Sequence, residues 1–162
     1  MVRHRAISYN FVLNKLPFAQ EEISVYASSS RGMGGFNGDS YFAYPNRDLE
    51  IFYNMFRECR TNRDIQVLPH GLLIAYHELL AAMIGIVLFV PACGGCIIRL
   101  NSDNANAVSW LQKSRCSAGI GFRMLAVIEL YKHMHGVKIS THHIKAVANG
   151  SADLLSTGEV PR

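Results

Sequence analysis

From Leu79 to Cys93 the chain carries no charged residue, and at the head of that run stands one carboxylate, Glu78, in the stretch His77-Glu78-Leu79-Leu80-Ala81-Ala82. Leucine, alanine, isoleucine and methionine at that density favour a helix, and a helix that is apolar on every side has to be enclosed by protein or by lipid. The run covers about fifteen residues before Pro91 and Gly94-Gly95 stop it, whereas a bilayer needs roughly 20. Extending it backwards would place His77 and Glu78 in hydrocarbon, where each is costly. The pattern therefore predicts a core helix from about Tyr76 to Val90, around which the remaining elements must pack.

The chain has the material for such packing. Its 162 residues suit one domain with a sizeable core, and 49% hydrophobic against 17% charged residues excludes a disordered chain. The net charge of +4 and pI of about 9.0 favour a polyanionic partner. With only 12 acidic residues in total, a cluster of them is informative. Cys59, Cys93, Cys96 and Cys116 are too unevenly spread for a disulfide framework, and no apolar stretch follows the basic Met1 to Arg5 as in a signal peptide. Both features point to an intracellular protein. Cys93-Gly94-Gly95-Cys96 has no second C-x-x-C partner, and Cys93 follows a helix instead of opening one, so the segment reads as a Gly-Gly turn between two small residues.

Residues 1–20 form an N-terminal arm ending in Leu16-Pro17-Phe18, with Arg3, His4, Arg5 and Lys15 available to phosphates or to solvent. Ile23 to Ala27 alternates as a strand, Ser28 to Gly35 reads as a turn, and Tyr41 to Tyr44 as a second strand, which makes an opening hairpin. The glycines lack the Lys-Ser/Thr of a phosphate loop. Residues 45–69 are a short helix or an insertion, and Ile65 to Ala75 is compatible with a strand. After the core helix, Cys96 to Asn101 is β-branched, Ala105 to Lys113 is helical, Ala118 to His135 is a long amphipathic helix stopped by Gly136, and Val137 to Ile144 alternates as a strand. Ser151 is a plausible cap for a terminal helix. This order predicts an α/β domain with helices packed on a mixed sheet.

In α/β sheets ligands gather at the carboxyl ends of central strands, and three acids converge on such positions. Asp103 ends a strand, Asp153 opens a helix after one, and Glu78 heads the buried helix. Gathered carboxylates repel one another unless they are partly protonated or cations lie between them, and hard oxygen ligands suit Mg2+ or Mn2+. Each acid also has a plainer reading: Asp103 and Asp153 as helix caps, Glu78 as a first-turn acid favoured by the helix dipole.

Four segments resemble, in order, the motifs of the ribonuclease H family: Val25-Tyr26-Ala27-Ser28-Ser29-Ser30, His77 to Ala82, Leu100-Asn101-Ser102-Asp103-Asn104, and His143 to Ser156 with its Asn149-Gly150-Ser151-Ala152-Asp153-Leu154-Leu155-Ser156. They look most like the domain that follows reverse transcriptase in retroelements of the tyrosine-recombinase type, over about residues 21–158, leaving 159–162 as a tail. The resemblance implies a five-stranded mixed sheet flanked by helices. It also implies two metal ions, Mg2+ or Mn2+, that cleave the RNA strand of an RNA/DNA hybrid, with Glu78, Asp103 and Asp153 as ligands. It implies His143 near a product-release position, and Ser30, Arg31, Asn104, Lys113, Arg115 and Asn149 beside the nucleic acid. A reverse transcriptase domain of the same polyprotein is the implied protein partner.

This chain departs from the family on the first strand. Where the family carries aspartate in a Tyr-Thr-Asp-Ala-Ser type of motif, the alignment of Tyr26-Ala27-Ser28 puts Ser28 in its place. A neutral hydroxyl supplies neither the charge nor the bidentate reach of a carboxylate. Two functions stay open on these residues: a nuclease impaired by that change, and a catalytically silent module that binds nucleic acid or protein. A zinc site on His133, His135, His142 and His143 is disfavoured, because neither pair can aim both rings at one centre. Trp110 belongs either to a hybrid-binding surface or to the core side of an amphipathic helix.

Overall fold

The computed structural model describes residues 20–28, 32–45, 48, 70–116 and 119–145. Three strands come first: β1 (Gln20–Ser28), β2 (Gly32–Asn37) and β3 (Ser40–Pro45). They form an antiparallel meander. The predicted hairpin is thus corrected, since Gly32 to Gly35 is not a turn but a strand buried in the sheet. The reason lies across the sheet. A Cβ on Gly35 would sit 2.6 Å from the Phe42 ring and 3.0 Å from the Ser24 carbonyl, so the glycine lets that ring lie over the strand. The real reversal is the two-residue loop Gly38-Asp39, with Gly38 at φ +54° and Asn37 paired to Ser40.

Helix α1 (His70–Phe89) follows, twenty residues long. It begins six residues before the predicted start, and residues 70–75, compatible with a strand by sequence, are its first turns. Glu78 accordingly lies in the third turn and not at the head, so no first-turn dipole accounts for it. By length and composition α1 is able to cross a bilayer, which removes the argument from shortness. Its surroundings decide instead. It lies against β1 and β2 and packs on two later helices, and Leu79, Leu80, Ala81, Ala82 and Ile86 are fully buried. An all-round apolar helix is what a position between a sheet and other helices requires.

Phe89 leads into a short 3-10 turn (Val90–Ala92), then a turn closed by the Cys96 N–H on the Cys93 carbonyl at 3.1 Å, with Gly95 at φ +77°. Cys93 and Cys96 are free thiols. Strand β4 (Ile97–Ser102), helix α2 (Ala105–Lys113), helix α3 (Gly119–His135) and strand β5 (Lys138–His143) complete the described fold. Gly136 stops α3 at φ +64°. The five-stranded sheet has the order β3-β2-β1-β4-β5, with β1, β4 and β5 mutually parallel. Trp110 faces inward, its ring centroid 4.8 Å from that of Tyr76. Trp110 therefore holds α2 to α1, and the core reading of that residue stands.

Candidate functional site

The parallel arrangement of β1, β4 and β5 brings their carboxyl ends, Ser28, Ser102 and His143, to one edge of the sheet. The paired register of β1 and β4 runs from Gln20 with Ile97 to Ser24 with Asn101. Beyond it, the side chain of Glu78 reaches in from α1 and takes up hydrogen-bonding groups of both strands. The Ala27 N–H donates to its Oε1 at 2.8 Å, and the Ser102 hydroxyl donates to its Oε2 at 2.5 Å. Ser102 Oγ in turn accepts the Asn104 N–H at 3.2 Å. A carboxyl group with no solvent exposure is tolerable there because both its oxygens are engaged.

Burial pushes the Glu78 pKa up to about 8. The Ser102 hydroxyl and the Ala27 N–H pull it down, while the negative charge of Asp103 and a hydrogen bond with that carboxyl push it up. Glu78 therefore keeps its proton at neutral pH beside a neighbouring acid. Next to it His77, also buried, has its pKa lowered by desolvation, partly offset by a hydrogen bond with the Ser28 backbone.

Asp103 follows β4 and is partly exposed. It is not the cap of α2: that part is played by Asn104, whose Oδ1 accepts the N–H groups of Asn106 and Ala107, each at 3.1 Å. The capping explanation of Asp103 is therefore excluded, and the side-chain oxygen of Asn104 is committed to the helix. His143 does reach this edge, its Nε2 lying 3.0 Å from the Asp103 carbonyl, which accepts the ring N–H in that tautomer. Lys113 and Arg115 are exposed at the far end of α2, about 13 Å along the helix from Asn104 at 1.5 Å per residue. Asp153, Asn149, Ser30 and Arg31 lie outside the described residues.

Ser28 ends β1 opposite Gly32 and is half-buried. The groups that hold Glu78 are those of Ala27, Ser102 and Asp103. Two of these participants went unread in the sequence. The Ala27 amide leaves no sequence signal, but Ser102 does, because in Ile98-x-Leu100-x-Ser102 it occupies the inward position of the alternation. On the opposite sheet face, Asn101 Nδ2 donates to Glu22 Oε1 at 2.5 Å and to Ser24 Oγ at 3.2 Å, a polar ladder linking β4 to β1.

The two-metal arrangement implied by the resemblance is not assembled by these residues alone. Glu78 and Asp103 are the two carboxyls brought together, and no group of three or more His, Cys, Asp or Glu among the described residues is placed to hold an ion. Two divalent ions bring four positive charges, and two carboxylates do not balance them.

A mixed five-stranded sheet of this order, with parallel crossovers through flanking helices, is the ribonuclease H-like fold. The chain is similar to the crystal structure of RNase H1 from the halophilic archaeon Halobacterium salinarum NRC-1, with a TM-score of 0.52 and 13% sequence identity over 85% of this chain and 94% of that one. At that identity the likeness is one of fold. No protein-family model and no curated protein matches the sequence.

Proposed function

We propose that the chain is a ribonuclease H-like domain of retroelement reverse-transcriptase descent that binds RNA/DNA hybrid and is impaired in hydrolysing its RNA strand. The observation that carries this reading is the state of Glu78. Its two oxygens are engaged by the Ala27 N–H and the Ser102 hydroxyl, and Asp103 is the one carboxylate that the described residues bring beside it. The net charge of +4 and the exposed Lys113 and Arg115 at the far end of α2 support contact with a phosphate backbone. His143, close to Asp103, is the residue proposed to meet product at the edge of the site. In this reading Asp153 is the remaining acid.

Fluorescence anisotropy with a labelled RNA/DNA hybrid tests the binding. Affinity is expected to fall steeply as salt is raised, and a flat profile refutes the nucleic-acid role. Cleavage is followed on gels with Mg2+ or Mn2+. Brisk cleavage by the unaltered chain, abolished by Asp103→Asn, overturns the impairment. A second reading, a silent module docking on protein, is favoured by the exposed Phe122, Leu130 and Met134, which recur on α3 at multiples of four residues. A salt-independent or absent hybrid interaction selects it.

A further inference from the structure

The resemblance implies a metal-binding carboxylate on β1, and the strand's own geometry sorts its residues onto two faces. We infer that the strand position facing Glu78, where a two-metal site would need a further carboxylate, is occupied by Ala27 and not by Ser28; this rests on the ribonuclease H-like reading of the site. Ile23 and Val25 face α1, since their methyl groups lie 3.2 and 3.5 Å from the Cβ that Gly85 lacks. Side chains alternate along a strand, so Ala27 points the same way and Ser28 the other. Burial agrees, with Ile23 and Val25 fully buried and Ala27 only 4% exposed. Ser24, on the face that Ser28 shares, meets the side chain of Asn101 across the sheet from α1.

The hydrogen bonds locate Ala27 more closely. Its N–H lies 2.8 Å from Glu78 Oε1, and a Cβ is about 2.5 Å from its own nitrogen, so the Ala27 methyl stands within roughly 5 Å of that carboxyl. From β4 the side chain on the same face is Ser102, which holds the other Glu78 oxygen. Continuing the register of Ser24 with Asn101 sets Val25 level with Ser102 and Ala27 just past the strand end, where the chain turns through Asp103. Neighbouring strands are about 4.8 Å apart, a separation that suits carboxylates sharing an ion. Ser28 is the next residue along, its backbone bonded to His77. A methyl group offers a cation neither charge nor oxygen. With Ala27 in that place Glu78 has an amide, a hydroxyl and Asp103 as partners.

The test compares Ala27→Asp, Ala27→Asn and Ser28→Asp in the full chain, with Mn2+ alone as the probe, by isothermal titration calorimetry and circular dichroism. Ala27→Asp is expected to tighten Mn2+ binding by about tenfold or more, because ligand charge count tunes such sites. Ala27→Asn, of the same shape without the charge, and Ser28→Asp are expected to stay at the level of the unaltered chain. A gain in Ser28→Asp equal to or above that in Ala27→Asp overturns the inference, as does a folded Ala27→Asp with no gain. Should Ala27→Asp be unfolded without cation, Mn2+ is expected to restore its helical signal, and failure to refold overturns the inference too. Hybrid anisotropy on the same samples separates the two levels. Retained salt-sensitive binding without an Mn2+ gain removes the Ala27 assignment and leaves the proposed function standing; the converse removes the function.

Discussion

Replacing Glu78 by glutamine makes a permanent copy of the protonated side chain, and the consequence for stability follows from its pKa. In the folded chain that pKa is raised from 4.5 to about 8, chiefly by burial. The unfolded chain releases the proton near 4.5, whereas the folded chain retains it until about pH 8. The native state therefore binds more protons across that window, and stability falls as pH rises from 4.5 to about 8 and levels off above. At 1.36 kcal/mol per unit, the loss between pH 5 and pH 8.5 is about 4 kcal/mol. That is a large part of the roughly 5–15 kcal/mol that holds a domain together. The glutamine of Glu78→Gln would keep an oxygen for the Ala27 N–H and has no proton to lose. Urea unfolding in chelator-containing buffer at a series of pH values measures the effect. The midpoint of the native chain is expected to drop relative to Glu78→Gln by roughly 2 M between those pH values, taking a slope of about 2 kcal/mol/M. Histidines and other acids titrate in both proteins, so the difference between the two curves is the readout. Parallel curves would refute the account of Glu78 as a buried, protonated acid.

Three further outcomes are expected. Gly35→Ala should cost about 1–3 kcal/mol in urea unfolding, because the added Cβ meets Phe42 and the Ser24 carbonyl; an unchanged midpoint would refute the close-approach argument. Asn104→Ala should cost about 1 kcal/mol in the same assay through loss of the α2 cap, whereas Asp103→Asn should leave the cap intact and lower the Glu78 pKa by removing its charged neighbour, seen as a narrower pH window of stability loss. Alkylation by iodoacetamide, followed by peptide mass spectrometry, should be slow at Cys93 and Cys96 at neutral pH. It should accelerate only as pH climbs past about 9, latest at Cys96, whose thiol is pushed up to about 11, mainly by burial.

Much of the architecture was legible because it rests on local pattern. The uncharged run after Glu78 announced an enclosed helix, the β-branched Ile97-Ile98 and the alternation of residues 138–143 announced strands, and Gly136 announced the end of α3. The mixed sheet with flanking helices followed from the order of those elements. The failures share a cause. Gly32 to Gly35 carries every mark of a turn, and is a strand because Phe42 on a neighbouring strand needs the space that side chains would fill. Residues 70–75 hold a glycine and the β-branched Ile74, yet they are helical, with Ala75 fully buried and Leu72 packed against the core.

The candidate site divides in the same way. Glu78 and Asp103 could be picked from the sequence, since an acid beside a long apolar run and an acid at a strand end are anomalies against their surroundings. Which groups they meet was not written there. Ile23, Val25 and Ala27 share one side of β1, and sliding that strand by two residues past β4 preserves the alternation of inward and outward positions completely. Pattern alone therefore cannot choose among them as neighbours of Glu78. The pairing of Ser24 with Asn101 and the Ala27 amide on the carboxyl make the choice. Burial also sets the charge of Glu78, because its proton is retained by exclusion of water on all sides. The order of residues specified an enclosed helix with an acid in it; the packing of two strands against that helix specified what the acid is, protonated and held at the amide of an alanine.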